Sequence, residues 1–258
     1  MPTISIITAC YNAADTLKQC LDSVASQSFR DYEHIVVDGG SDDESVDLLR
    51  SHISQNLHWI SESDSGIAEA MNKGIRRAKG KWLLFLHADD QFKDNKILKI
   101  ASSCLEDKFD IVAYPVELQS RTQGKTIIDN AGWTFKTNFK TTLGHQGAFI
   151  RGELFQTLGY YDESFKIAMD YEWFMRAFHQ RVAILLLPGI LSIMSADGIS
   201  SRKDWSSLSE RFQEERRVHK KHAQNCFWKS IYLLYWSIYP TYRRLKTHLL
   251  NGPKQSTE

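Results

Sequence analysis

Two adjacent carboxylates end an apolar segment in the first third of the chain. The sequence LLFLHADD runs from Leu83 to Asp90, so Asp89 and Asp90 directly follow a stretch typical of a buried strand. Mg²⁺ and Mn²⁺ prefer oxygen ligands, usually one or two carboxylates together with phosphate oxygens of a substrate. The pair therefore predicts a divalent-cation site on a rigid mount. The alternatives are a turn, or a cap for a helix that begins near Asn95.

Four short β-branched or apolar runs alternate with helical patterns in this part of the chain: residues 4–10, 33–38, 58–62 and 81–86. This alternation predicts strand-helix-strand units and a largely parallel sheet. Polar residues follow every run: Tyr11 and Asn12, Asp38, Asp64, and then the acidic pair. Because open parallel sheets bind ligands outside the carboxyl ends of their strands, we expect these side chains to share one site.

The segment VVDGGSDDES has two interpretations. Ser41 followed by Glu44 is a capping-box pattern, so the segment can be a plain turn that opens a helix. Asp38 can instead accept a hydrogen bond from the edge of a nucleobase. The spacings of the common phosphate-binding glycine loops are absent from it.

Composition indicates an ordinary globular protein with 42% hydrophobic and 24% charged residues. The start MPTISIITACYN does not resemble a secretory signal, and the apolar segment AILLLPGILSIM is too short to span a bilayer. Four cysteines lie far apart without a CxxC pair, which favours reduced thiols in packing roles. We therefore expect a cytoplasmic protein.

The C-terminal part differs in charge and composition. Residues 1–201 hold 20 Lys+Arg against 26 Asp+Glu, a net charge of −6, whereas residues 202–250 hold 11 against 4, a net charge of +7. We expect a main domain over 1–203 and a basic, aromatic, helical extension over 204–258. The aromatic segment can lie on the inner face of the cytoplasmic membrane, or pack on its own domain or on a second copy in a homodimer. Nucleic acid is not an expected partner, because the acidic main domain would oppose it.

Longer motifs occur in a characteristic order. They are TACYN, DGGSDD, SDSGIAEAMNKGIRRAKGKWLLFLHADD, GHQGAFIRGELFQTLGYYDESFKIAMDYEWFMRA and DGISS. In this order, over roughly residues 3–202, the chain resembles the inverting glycosyltransferases of family 2. The resemblance implies an α/β GT-A fold, a mostly parallel mixed sheet flanked by helices, here with a helical C-terminal appendage. It also implies a nucleotide-sugar donor, for which a UDP-sugar is our first choice, and Mn²⁺ or Mg²⁺ as cofactor.

The resemblance assigns roles to individual residues. The donor-binding set is Thr8, Tyr11, Asn12, Asp38, Gly39, Asp64, Gly66, Asn72, Lys73 and Asp89. Asp89 and Asp90 match the acidic motif, one bonding the ribose and the other the metal, although His87 stands where many relatives carry an acidic or amide residue. The set on the acceptor or diphosphate side is His145, Gln146, Glu172, Trp173 and Ser200.

Asp170, in the sequence AMDYEWF, matches the family's catalytic base, which takes the proton of the acceptor hydroxyl. The match is partial, because Met169 stands where many relatives carry an acidic residue. Asp170 can also cap a helix that starts at Tyr171, and Glu172 is the second candidate for the base.

The expected reaction is transfer of a sugar with inversion to a hydroxyl of a glycan or lipid-linked acceptor, in the assembly of surface polysaccharide. Two other classes remain open. A sugar nucleotidyltransferase uses a related sheet and metal, but the segment TACYNAADTLK lacks the glycine-rich basic loop typical of that class. A catalytically inactive nucleotide-binding module would bind the donor without turnover.

Overall fold

The computed structural model describes residues 1–120, 124–196 and 204–250, with side chains through residue 246. Its strands are β1 Ile4–Cys10, β2 Tyr32–Asp38, β3 Leu57–Ser61, β4 Trp82–Phe85, β5 Gln91–Phe92, β6 Ile111–Ala113, β7 Val116–Ser120, β8 Gly124–Ile128, β9 Ala148–Arg151, β10 Ile184–Leu186 and β11 Ser192–Ser195. Its helices are α1 Ala14–Ala25, α2 Ser45–Ser51, α3 Ile67–Arg77, α4 Ile97–Ser102, α5 Glu153–Thr157, α6 Met169–His179, α7 Trp205–His222 and α8 Cys226–Leu250.

Seven strands form the central sheet in the order β10-β6-β9-β4-β1-β2-β3. All neighbouring pairs are parallel except those of β9, which is antiparallel to β4 and to β6. The four strands predicted from apolar runs are β1 to β4, and they are neighbours in this sheet. Their carboxyl ends therefore meet at one edge, as the alternating pattern predicted.

A second sheet of four strands has the order β5-β11-β7-β8. Its first strand, β5, begins at Gln91, immediately after the acidic pair. The second sheet therefore borders the edge at which β4 ends.

Helices cover the central sheet because their apolar residues recur on one face. In α1 the buried residues are Leu17, Cys20, Leu21 and Val24, which lie three or four positions apart. Helix α3 lies very close to β1, since a Cβ atom at Gly74 would come within 2.4 Å of Ile7 Cγ2.

Helix α2 begins later than the capping-box pattern predicted. Its N-cap is Glu44, with no side-chain cap hydrogen bond, and the Ser41 hydroxyl donates to Asp38 instead. The prediction was wrong because the buried carboxylate at the end of β2 competes for the same hydroxyl.

The two C-terminal helices pack on each other, and α7 also packs on α6. Leu208 and Phe212 of α7 form a buried cluster with Tyr232 and Trp236 of α8, while Val218 belongs to the core of the main sheet. The predicted boundary at residue 203 lies outside the described residues, so it stays a prediction. None of the helices described is long and apolar enough to cross a membrane.

Candidate active site

The loop after β1 presents an aromatic ring at the carboxyl edge of the sheet. Tyr11 is 65% exposed, and Asn12 takes a left-handed conformation with a φ of 47°. The backbone N–H of Asn12 donates to Ser41 Oγ over 2.8 Å, and its side-chain oxygen accepts from the Asp42 N–H. The loops after β1 and β2 therefore hold each other, and the Tyr11 ring is available for stacking.

Asp38 organises the loop after β2. The side chain is fully buried, and its oxygens accept hydrogen bonds from the Gly40 N–H, the Ser41 N–H and hydroxyl, and the Ser61 hydroxyl. Burial raises the pKa of the Asp38 carboxyl, but the hydrogen bonds outweigh burial and hold the pKa below its ordinary value. These four donors occupy the carboxylate in this loop conformation, and its direct contact with a nucleobase stays a prediction.

Three other residues of the predicted donor set lie together beside this loop. A Cβ atom at Gly39 would come within 2.6 Å of Asp64 Oδ2, so only glycine fits between them. Asp64 Oδ1 accepts the Gly66 N–H over 2.9 Å, and Gly66 has a φ of 138° at the start of α3. Burial raises the pKa of the Asp64 carboxyl.

Two residues of the predicted donor-binding set, Thr8 and Lys73, are buried beneath the carboxyl edge of the sheet. Thr8 is fully buried within β1 and contacts His34 Nε2 over 2.9 Å. Lys73 is 9% exposed, and its ammonium group donates to the Ser63 carbonyl over 2.9 Å. These contacts lie within the protein, and direct contact of Thr8 and Lys73 with the donor stays a prediction.

Asn72 is also a structural residue. It is 1% exposed, and its amide both donates to the Tyr161 carbonyl and accepts the Tyr161 N–H, over 2.9 and 3.0 Å. The side chain therefore joins α3 to the segment before α6, and its predicted place in the donor pocket stays a prediction.

The acidic pair divides into an outward and an inward carboxylate. Asp89 is exposed, whereas Asp90 is 3% exposed and accepts the His87 N–H over 3.2 Å. The Asp90 N–H in turn donates to the His87 carbonyl, which closes a turn. Burial and the neighbouring Asp89 raise the pKa of the Asp90 carboxyl. Asp90 therefore closes a turn, as one of the alternatives predicted, and its role as a metal ligand stays a prediction.

The Asp89 carboxylate fits a cation that takes most of its ligands from the substrate. Within residues 1–120, 124–196 and 204–246, no group of three or more His, Cys, Asp and Glu side chains could hold a metal ion. An exposed carboxylate such as that of Asp89 can supply one ligand where phosphate oxygens supply further ones, as is common for Mg²⁺.

A chain of three side chains links the end of β4 to the start of α6. His87 Nε2 lies 2.8 Å from His145 Nε2, and His145 Nδ1 lies 3.2 Å from Asp170 Oδ2. The two imidazole rings are perpendicular, and His145 is 4% exposed. Burial, with a smaller effect of His145, lowers the pKa of His87 to about 3. Sequence reasoning singled out all three residues but missed their contact, because 58 residues separate the two histidines.

Asp170 lies in the first turn of α6, with its side chain 20% exposed. The helix begins at Met169 after the N-cap Ala168, so the alternative in which Asp170 caps a helix from Tyr171 is wrong. One oxygen accepts the Tyr171 N–H over 2.6 Å and the other meets His145. The carboxylate is thereby fixed in orientation while part of it stays open to solvent.

Glu214 of α7 is a site residue that sequence reasoning missed. Its carboxylate accepts three backbone N–H groups, from Lys166, Ile167 and Ala168, over 2.7 to 2.8 Å. These groups immediately precede α6, so Glu214 takes the place of a side-chain cap for the helix that carries Asp170. The contact could not be predicted from a local sequence pattern, because Glu214 and its partners are 46 to 48 residues apart.

Glu172 and Trp173 lie in the interior of the protein. Both side chains are fully buried. Glu172 lies 2.8 Å from Arg176, 2.8 Å from Lys221 and 2.9 Å from His222. These three basic groups lie around the carboxylate, so Glu172 joins α6 to α7, and its role as second candidate for the base stays a prediction.

The turn GHQG is shaped by close backbone packing. A Cβ atom at Gly147 would come within 2.3 Å of the Tyr114 carbonyl oxygen. Gln146 is 8% exposed, and its carbonyl accepts the Ser192 hydroxyl over 2.9 Å. Ser200, the last predicted site residue, lies outside the described residues.

The chain belongs to glycosyl transferase family 2, whose family model matches residues 5–165. It is similar to the PGL/p-HBAD biosynthesis glycosyltransferase of Mycobacterium bovis (strain BCG / Pasteur 1173P2), with 34% identity over 185 residues, 69% of this chain and 70% of that protein. The putative teichuronic acid biosynthesis glycosyltransferase TuaG of Bacillus subtilis (strain 168) is 35% identical over 126 residues, 47% of this chain and 50% of that protein.

Solved structures show the same fold. S. aureus TarS 1–349 in complex with UDP-GlcNAc matches with a TM-score of 0.70 at 18% identity, over 98% of this chain and 77% of that chain. The mannosyltransferase PcManGT from Pyrobaculum calidifontis, in complex with GDP-Man and Mn²⁺, matches with a TM-score of 0.67 at 16% identity, over 98% and 76%. The family and the GT-A fold predicted from the sequence are thus confirmed.

Proposed function

We propose that the chain transfers a sugar from a nucleotide-diphosphate donor to an acceptor hydroxyl with inversion, and that Asp170 is the base. The observation that carries the proposal is the oriented, partly open carboxylate of Asp170 beside the carboxyl edge of the sheet. In the reaction the acceptor O–H proton passes to Asp170. The acceptor oxygen forms a bond to the anomeric carbon, and the bond from that carbon to the diphosphate oxygen breaks.

His145 has a positioning role in this scheme. It contacts the carboxylate of Asp170 and is itself held by His87. A buried partner of this kind restricts the rotamer of the base, which keeps the acceptor oxygen in line with the anomeric carbon.

Asp89 is the residue that would hold a divalent cation, Mn²⁺ or Mg²⁺. When bound, such a cation stabilises the negative charge that develops on the departing diphosphate. Its exposed position beyond β4 supports this role, as does Mn²⁺ in the PcManGT complex.

The donor proposed is a UDP-sugar, with Tyr11 stacked on the base and the segment from Asp64 to Gly66 beside the sugar diphosphate. The UDP-GlcNAc complex of TarS supports this choice, and the GDP-Man complex of PcManGT supports a guanine donor as the alternative. For the acceptor, the names of the relatives point to a glycolipid or a cell-surface polysaccharide, since one acts in PGL/p-HBAD biosynthesis and another in teichuronic acid biosynthesis.

The test combines donor binding with turnover. Thermal shift with UDP-, GDP- and dTDP-sugars, with and without Mn²⁺, measures binding, because a ligand of the native state raises its stability. Nucleotide release with glycolipid and oligosaccharide acceptors measures transfer. Asp170→Asn should keep the donor-induced shift and lower turnover by at least about 100-fold. The control is Asp107→Asn, which removes an exposed carboxylate near Lys81, just before β4 and thus at the opposite edge.

Four outcomes would contradict the proposal. Full turnover by Asp170→Asn removes this residue as the base, and retention of the anomeric configuration in the product excludes inversion. Donor binding without nucleotide release from any acceptor indicates a binding module. Release of pyrophosphate from a nucleoside triphosphate and a sugar phosphate would instead indicate a nucleotidyltransferase.

A further inference from the structure

One face of helix α8 carries a stripe of exposed apolar side chains, and no described part of the chain covers it. The stripe consists of Phe227, Leu234, Ile238, Tyr242 and Leu245, which are 54 to 67% exposed. At 100° per residue these five positions fall within a sector of about 80°. The sequence alone did not separate this stripe from the many other aromatic residues of the helix.

The packing face of α8 is a different one. Tyr232 and Trp236 are buried against α7, and the indole N–H of Trp236 donates to His219 Nδ1 over 2.8 Å. Tyr235 and Tyr239 stack on the same side. Because these aromatic residues already attach the helix to α7, the stripe is not the surface by which α8 joins its own domain.

Charge indicates what can cover the stripe. Helix α8 contains Lys229, Arg243, Arg244 and Lys246 and has no Asp or Glu. Lys229, Arg244 and Lys246 are exposed, as is Lys220 at the end of α7. A parallel pairing of two stripes would bring Arg244 and Lys246, which lie on either side of the stripe, close to their counterparts in the second copy, which is unfavourable.

We propose that the stripe docks α8 onto an anionic lipid surface, with the helix lying in the interface and its basic residues at the level of the headgroups. An apolar stripe flanked by Lys and Arg is what such a surface binds, since burial of apolar side chains and attraction to anionic lipids act together. The helix is not apolar enough to span the bilayer. This inference concerns the surface of α8 and does not depend on the proposed chemistry at Asp170.

The experiment is co-sedimentation of the full chain with vesicles of phosphatidylcholine alone or mixed with phosphatidylglycerol. The wild type should sediment with the mixed vesicles, and high salt should reduce the bound fraction. Leu234→Gln with Ile238→Gln should lower the partition coefficient about tenfold or more, because two apolar contacts are lost. Arg244→Gln with Lys246→Gln should remove most of the preference for the anionic vesicles, because these two residues lie on either side of the stripe.

Leu233→Gln is the matched control, because Leu233 is 65% exposed on the same helix but lies outside the stripe. It should bind vesicles as the wild type does, and all variants should keep the wild-type melting temperature and donor-induced thermal shift. Equal binding by the stripe variant and the control would overturn the proposal, as would absence of wild-type binding to the mixed vesicles. Sedimentation velocity adds a further arm: a wild-type dimer that Leu234→Gln with Ile238→Gln converts to a monomer, without vesicle binding, assigns the stripe to a second copy and also overturns the proposal.

Discussion

Glu215 of α7 allows the energetic effect of burying a carboxyl group to be measured as a change of stability with pH. Its side chain is 18% exposed. Burial raises the pKa of its carboxyl from 4.5 to about 7, opposed by Arg211 and Arg243 and reinforced by the charge of Asp170. The folded protein therefore keeps a proton on Glu215 in a pH range where the unfolded chain has released it.

The sign of the effect on stability follows from this difference in protons bound. Stability from the protonated Glu215 is fully present below pH 4.5 and is lost as the pH rises through about 7. At about 1.4 kcal/mol per pH unit, the loss amounts to about 3 kcal/mol. Glu215→Gln keeps the shape of the side chain but cannot ionise, so it should equal the wild type near pH 4 and exceed its stability by up to about 3 kcal/mol near pH 8.

Chemical denaturation of both proteins across this pH range measures the difference directly, and the expected change in melting temperature near pH 8 is roughly 5 to 10 °C. Glu210→Gln, an exposed substitution on the same helix, should give a flat difference curve. Because Asp170 raises the pKa of Glu215, Asp170→Asn should move the wild-type transition to lower pH. A flat curve for Glu215→Gln would refute the reasoning, because the burial of the carboxyl would then have no energetic consequence.

Three further predictions concern single contacts. Gly147→Ala should lower the free energy of unfolding by about 1 to 3 kcal/mol in urea titrations, because the new Cβ atom meets the Tyr114 carbonyl oxygen at 2.3 Å; an unchanged midpoint would contradict the close packing. His145→Ala should lower kcat by roughly 10- to 100-fold with little change in donor KM, because it frees the rotamer of Asp170, and a change in KM alone would count against positioning. Asp162→Asn should cost about 1 kcal/mol above pH 4, since hydrogen bonds, chiefly from its lysine partner on α7, outweigh burial and lower the pKa of Asp162 to about 2. This stabilisation is lost as the pH falls from about 4 to 2, so a difference that persists in acid would contradict the assignment.

The central strands could be predicted from the sequence because they are continuous apolar runs between helical patterns. Strand β1 has the predicted bounds, Ile4–Cys10, while β2 begins one residue early at Tyr32 and β3 is Leu57–Ser61 instead of 58–62. Strand ends depend on hydrogen bonds to neighbouring strands, which no single segment contains. The direction of β1 to β4, and hence the edge at which the polar residues collect, followed from the alternation with helices alone.

The inner arrangement of the site could not be predicted in the same way. Ser41 fits a capping box by its spacing, yet its hydroxyl donates to Asp38, because the burial of that carboxylate appears only when β2 lies between β1 and β3. The spacing of motifs also could not distinguish Asp89 from Asp90, since the turn that buries one of them is closed by the His87 backbone. Whether a carboxylate is exposed or buried depends on tertiary packing, so the roles of these residues could not be assigned from the sequence.

The position of Asp170 depends on residues beyond the predicted end of the main domain. Glu214 binds the backbone just before α6, and the hydroxyl of Tyr171 contacts His219 Nε2 over 2.9 Å. Buried Glu172 is paired with Lys221 in the next turn. Consecutive turns of α7 thus hold the first turn of α6, although the two helices differ sharply in charge and the sequence suggested separate units. Since α8 in turn packs on α7, whatever surface binds α8 is connected to the proposed base by an unbroken series of side-chain contacts.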